Sequence, residues 1–312
     1  MLRIFSEYLL NSKINCVKVC FINSLYFGRE TKYLIKDGHY TMDTKALINN
    51  KEYELSFLKH FQQADFKLVD FSFIESLSWQ SLTPDDLQQM TERSFWQHDH
   101  HIFALRNDFT DQLLRYYSNY QPEQQRLAYS GPIVRNNEVY TQLGIEHYNP
   151  TVTDMQNDFK TFYNFIKYTL NDDIDFVILG HYQLIDLLLA ASEQSQSILN
   201  LIQERNISEL TAQLGLAHPV VQLLTTKTTE QLDLLTQLFP HDHRTIQSLH
   251  RWEQWFKSQN ITEIHLDITP RPPRSYYKGS FMKCHLKNNK TQRLTGGFYK
   301  GKLEGFGLGF IL

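Results

Sequence analysis

The chain has 312 residues, enough to bury a sizeable core as one large domain or one domain with a helical appendage. Its formal net charge is −3, with acids and bases interspersed and no basic stripe to track a phosphate backbone, so nucleic acid is not a favoured partner. Three cysteines, Cys16, Cys20 and Cys284, form neither a CxxC pair nor an even framework, which points to a reducing, cytoplasmic setting without disulfides.

The first 41 residues read differently from the rest. Their longest apolar run, INCVKVCFINSLYF, is broken by Lys18, lacks a cleavage site and is too short and polar to span a bilayer, so no membrane anchor is expected. The folded protein is expected to begin at Met42, with residues 1–41 as an N-terminal extension and 42–312 as one domain. Asp43 or Thr44 is positioned to cap a helix whose apolar residues Leu47, Leu55, Leu58 and Phe61 recur at helical spacing. Thr83 followed by Pro84 predicts a second helix start, and HHIFALRNDFTDQLLRYY passes from a strand into a helix carrying Leu113, Leu114 and Tyr117.

RLAYSGPIVRN and YTQLGIEHYN read as two strands joined by the polar turn NNEV, an antiparallel hairpin. Residues 154–170 predict a helix with an aromatic face, followed by the buried strand DIDFVILGHY and the helix LIDLLLAA. Residues 194–260 read as a helical insertion ending in RWEQWFKSQ, where Trp252, Trp255 and Phe256 share a stripe that suits a core better than an interface. Strands return in EIHLDIT, YYKGSFMKCHL and the glycine-rich terminus. A sheet split around a helical middle argues for α+β rather than a doubly wound parallel sheet.

The common phosphate-loop, dinucleotide, nucleophile-elbow and zinc-helix signatures do not occur, and no cofactor is expected. GFGLGF contains G-x-G, but in a strand context where small residues let strands approach closely. The runs His98–His101 and His241–His243 lack tetrahedral-site spacing, so no metal is assigned to them.

The segments LRNDFTDQLLRYY, YSGPIVR, QLGIEHY, SYYKG and TGGFYKG…GFGLG, in this order, resemble the catalytic core of the class II histidyl-tRNA synthetase family. They look most like its non-catalytic branch, the regulatory subunits of ATP phosphoribosyltransferase. The resemblance covers residues 43–312 and implies a class II synthetase-like antiparallel sheet flanked by helices, a helical insertion and no anticodon-binding domain.

It also implies a histidine pocket. Asp108 falls on the acid that meets the amino group of histidine, a charge-assisted contact, and equally suits the N-cap of the helix beginning near Phe109. Arg135 falls on the strand arginine that grips the α-phosphate and the amino-acid carboxylate. Gln142 and Glu146, four apart on a strand, point to one face and match the pair that satisfies the imidazole nitrogens. Tyr276 and Tyr277 fall on the double tyrosine.

The departures concern catalysis. NNEVY replaces the basic loop over ATP, Pro272 stands at the catalytic arginine between Arg271 and Arg274, and Leu312 replaces the last arginine, whose guanidinium an aliphatic chain does not imitate. The implied role is a regulatory subunit with no catalytic residues of its own. It would join a short-form ATP phosphoribosyltransferase catalytic subunit in the first step of histidine biosynthesis, self-dimerise within a hetero-oligomer and transmit histidine feedback. The alternative is a truncated synthetase paralogue that still activates histidine with ATP.

Overall fold

The computed structural model describes residues 33–36, 39–42, 44–120, 125–240, 243–268 and 272–312. Cys16, Cys20, Asp43, His241, Asp242, Arg271 and residues 1–32 lie outside the described residues. The chain divides into two compact units, Met1–Asn49 and Asn50–Leu312. In the first, β1 (Tyr33–Lys36) and β2 (His39–Met42) pair as an antiparallel hairpin. Helix α1 (Thr44–Gln63) begins next, and the division falls within it.

In the second unit the elements follow as β3 (Lys67–Leu68), β4 (Ile74–Leu77), α2 (Pro84–Gln89), β5 (Phe95–His98), β6 (His101–Leu105) and α3 (Phe109–Tyr117). The long hairpin β7 (Arg126–Arg135) and β8 (Glu138–Tyr148) precedes α4 (Val152–Tyr168), β9 (Ile174–His181) and α5 (Leu184–Leu188). Four short helices come next: α6 (Gln196–Gln203), α7 (Ile207–Leu214), α8 (Pro219–Thr225) and α9 (Gln231–Leu238). Helix α10 (Arg244–Ser258) leads to β10 (Ile264–Asp267), β11 (Tyr277–Leu286), β12 (Arg293–Lys300) and β13 (Glu304–Ile311).

Local chemistry sets these boundaries. Thr83 and Asp86 form a reciprocal capping box at α2, with Pro84 in the first turn, and Thr151 with Asp154 does the same for α4. The β7–β8 turn is made by Asn136 and Asn137, both at positive φ (52° and 62°), as a two-residue turn matched to strand twist requires. Asp99 and His100 make the same kind of turn between β5 and β6 (φ 46° and 65°), so the HDHH run is a hairpin tip.

An eight-stranded sheet runs in the order β10-β9-β11-β12-β13-β8-β7-β3. Its centre is antiparallel as expected, but the pairs β10–β9 and β3–β7 are parallel, so the sheet is mixed at its edges. The three-stranded sheet β4-β6-β5 was not foreseen; β5 is exposed at every position and shows no alternation to reveal it.

Helices cover one face of the large sheet. Phe57 and Phe61 of α1 are fully buried against Phe162 and Phe165 of α4, with Phe57 ring centroids 5.3 and 5.2 Å from the two. The expected stripe holds at Leu58 and Phe61, which pack on the core, and is corrected at Leu47 and Leu55, which stay about half exposed; Leu55 lies two residues, and so about 200°, around the helix from Phe57. Helix α10, the last of the expected helical insertion, packs in this layer. Trp252 and Phe256 are buried, Trp252 stacks on Phe306 of β13 at 5.8 Å, and Trp255 packs on Phe159. The tryptophan stripe is core.

Trp252→Ala should cost about 3–5 kcal/mol of unfolding free energy, the range for truncating a buried aromatic side chain. Leu55→Ala should change it by no more than about 0.5 kcal/mol, as for an exposed position. Urea unfolding followed by tyrosine fluorescence or circular dichroism checks both.

Candidate functional site

Strand register builds the open face of the sheet. On β8 the alternation puts Gln142, Gly144 and Glu146 on the side away from the helical layer, opposite Gly131, Tyr129 and Leu127 of β7. On the other side of β8, Glu146 is paired with Gly307 and Gly144 with Gly309; β12 continues these rows with Gly297 and Thr295, and β11 with Phe281 and Lys283. The middle of this face therefore carries almost no side chains. The result is a cavity of about 190 Å³, floored by Thr295, Gly307 and Gly309 and walled by Asp108 and Gln142 on one side and by Tyr277, Phe281 and Lys283 of β11 on the other.

Glu146 is fully buried. Thr110 donates its hydroxyl hydrogen bond to Oε1 at 2.6 Å, Tyr299 donates to Oε2 at 2.9 Å, and the Tyr129 hydroxyl lies 3.4 Å from Oε1. Burial, which disfavours the charge, raises its pKa to about 8 despite the hydroxyls that lower it. A Cβ at Gly307 would sit 2.6 Å from Glu146 Oε2, so the glycine-rich strand is what lets β13 pass beside the carboxyl group. Gly144 likewise makes room for the Tyr129 ring.

Asp108 fills the capping role expected of it and pairs with Arg135. One oxygen accepts from the backbone N–H of Thr110 at 2.8 Å as the N-cap of α3, and the other takes the Arg135 guanidinium at 2.7 Å. Arg135 also donates to the Asn107 carbonyl at 2.9 Å. It is thus engaged at the rim and does not line the cavity. The arginine that begins the RNDFT motif, Arg106, is buried. It donates to the carbonyls of Pro132 and Phe71, both at 3.0 Å, and lies 3.6 Å over the Phe109 ring, holding the strand-to-helix corner.

Tyr277 lines the cavity, whereas Tyr276 turns its hydroxyl to Asp111. Burial raises both phenol pKa values, so neither ionises near neutrality. Arg274 meets Asp111 at 3.3 Å, and Ser275 is tied to Asp85 through its backbone N–H (3.0 Å) and hydroxyl (2.7 Å). Burial, followed by the charge of Asp108, raises the Asp111 pKa. Pro272 contributes no cation, and Leu312 hydrogen-bonds through its backbone to Thr141 while its side chain packs on the core.

Of the six residues assigned from the sequence, Asp108, Gln142 and Tyr277 line the cavity, Glu146 lies beside it behind Gly307, and Arg135 and Tyr276 brace the rim. Thr110, Tyr299, Asp111 and Lys283 received no role from the sequence. The two-residue period of β11 and β12 was the available signal for Lys283 and Tyr299. Only the fold brings Thr110 and Tyr299 to the same carboxyl group.

A carboxyl whose folded pKa lies above its unfolded value binds more protons in the native state between about pH 4.5 and 8. Its contribution is present at low pH and is lost as pH rises through that window, by up to about 1.4 kcal/mol per unit. Glu146→Gln should flatten this part of the stability profile, as measured by denaturant unfolding from pH 5 to 9. An unchanged slope in the variant would show that Glu146 is not the titrating group.

Comparison with known proteins places this geometry. The family model described as histidyl-tRNA synthetase matches residues 43–309. A curated ATP phosphoribosyltransferase regulatory subunit from Staphylococcus aureus (strain MRSA252) is 52% identical over 270 residues, covering 86% of this chain and 99% of that protein. Among solved structures, the ATP phosphoribosyl transferase (HisG:HisZ) complex from Thermotoga maritima matches with a TM-score of 0.63 at 17% identity, over 83% of this chain and 96% of that one. An ATP phosphoribosyltransferase regulatory subunit/histidyl-tRNA synthetase from Bacillus halodurans C matches with a TM-score of 0.69 at 14% identity, over 92% and 81%. The fold, the ordered motifs and the identity over nearly the whole curated relative agree: the chain belongs to the histidyl-tRNA synthetase-like family, in its branch of ATP phosphoribosyltransferase regulatory subunits.

Proposed function

We propose that this chain is the non-catalytic regulatory subunit of a short-form ATP phosphoribosyltransferase, that it supports the first step of histidine biosynthesis in the cytoplasm, and that it transmits histidine feedback. The observation that carries the reading is the unequal fate of the pocket's two halves. The groups suited to a small amino acid remain gathered: Asp108, Gln142 and Tyr277 at the wall, with Glu146 behind Gly307. The cations that a nucleotide triphosphate requires are diverted or replaced. Arg135 is paired with Asp108, Pro272 stands where the catalytic arginine is expected, and Leu312 is aliphatic.

No helix among the described residues is long and apolar enough to cross a membrane. A self-contact within a larger assembly fits the outer face of β4-β6-β5, where Ile74 and Trp96 are 46% and 41% exposed. Feedback requires histidine to bind one state of the assembly better than another, by about 1–3 kcal/mol in usual cases.

Mixed with a short-form catalytic subunit, the purified chain should switch on phosphoribosyl-ATP formation, and added histidine should lower that activity. Alone with histidine and ATP it should give no pyrophosphate exchange. Activity indifferent to the chain, together with measurable exchange, would overturn the regulatory reading in favour of a histidine-activating enzyme.

A further inference from the structure

Histidine carries a carboxylate as well as its ammonium and imidazole, and the side of the cavity at β8 is unsuited to an anion. Asp108 lines that wall, and Glu146 stands behind Gly307. Arg135, the residue that the resemblance assigns to the carboxylate, has its guanidinium on Asp108 and on the Asn107 carbonyl. A ligand oriented with its ammonium and imidazole toward β8 must therefore send its carboxylate to the far wall, away from the Asp108 carboxylate.

The register shows what waits there. Lys283 of β11 lies opposite Thr295 of β12, which lies opposite Gly309 of β13, which lies opposite Gly144 of β8. Gly144 is flanked on its own strand by Gln142 and Glu146. Gly144 itself lies under the Tyr129 ring, so the open track runs over Thr295 and Gly309 and joins Lys283 to the Gln142 amide, across three strand spacings or about 14 Å between backbones. Among the described residues lining the cavity, Lys283 alone carries a positive charge. Its ammonium donates one hydrogen bond to Asp267 at 3.0 Å, and an ammonium has three donors. Its side chain is 41% exposed, so it is free to swing from Asp267 toward a ligand in the track.

We infer that Lys283 is the carboxylate anchor of the pocket, and that it replaces Arg135 in this role. The inference rests on the reading of the cavity as a histidine site. It makes the cavity selective for a free amino acid over the corresponding amine, because only the amino acid reaches both ends of the track.

Isothermal titration of the full chain with histidine and with histamine, which lacks the carboxylate, tests it. The wild-type chain should bind histidine more tightly by about tenfold or more, the usual worth of a charge-assisted hydrogen bond. Lys283→Gln should abolish that preference while leaving histamine affinity in place, and Lys283→Arg should restore part of it. A purely structural effect of the substitution would weaken both ligands together and leave their ratio unchanged. Retention of the wild-type ratio in Lys283→Gln overturns the anchor and leaves the histidine site standing, as does equal binding of the two ligands by the wild type. If the wild-type chain binds neither, the histidine site itself falls, and the anchor with it.

Discussion

Glu146 places a carboxyl group with no solvent exposure in the middle of an eight-stranded sheet, and much of the surrounding architecture follows from keeping it there. A buried carboxyl needs partners, and here they come from three separate parts of the chain: Thr110 at the start of α3, Tyr129 on β7 and Tyr299 on β12. It also needs room. β13 runs directly beside it and supplies that room with Gly307, whose missing side chain brings backbone where a Cβ would collide with the carboxylate. The glycine-rich terminus is thus a steric condition of the site and not a phosphate-binding loop.

The same glycines hollow the sheet. Gly307 and Gly309 leave a depression that α3 and its N-cap close from one side and β11 from the other. Asp108 ties these requirements together. It caps α3, which presents Thr110 to Glu146, and it also holds Arg135 at the rim. One carboxylate therefore fixes the helix and occupies the cation that a nucleotide-using relative would need elsewhere. Beyond it, Arg274 and Tyr276 on Asp111, and Ser275 on Asp85, strap the segment before β11 onto α2 and α3. The wall of the cavity is held by charged and hydroxyl contacts from several elements, while its floor is bare.

A pocket of this kind suits regulation. Burial already favours the neutral form of Glu146, so a cationic ligand group that requires the carboxylate must draw a proton from it, which links occupancy to proton release. The helical face of the same sheet is a continuous aromatic and aliphatic core, in which Trp252 of α10 stacks on Phe306, the residue preceding Gly307. The cavity on one face and the helices on the other thus share a strand, a physical route by which binding in the cavity can bias a larger assembly.

The sequence by itself determined the local and periodic features: the helix start at Thr83 and Pro84, the polar turn after Arg135, the same-face placement of Gln142 and Glu146, and the ordered motifs that carry the family. These depend on residues within a few positions of one another, where propensity and periodicity act directly. Tertiary structure decided the rest. It added Phe57 to the expected Phe61 on the buried face of α1 and left Leu47 and Leu55 outside it, turned Arg135 onto Asp108, and aligned Lys283 with Gly144 across two intervening strands. Those outcomes depend on which strands become neighbours and in what register. Register is set by packing over the whole sheet, so no window of sequence contains it.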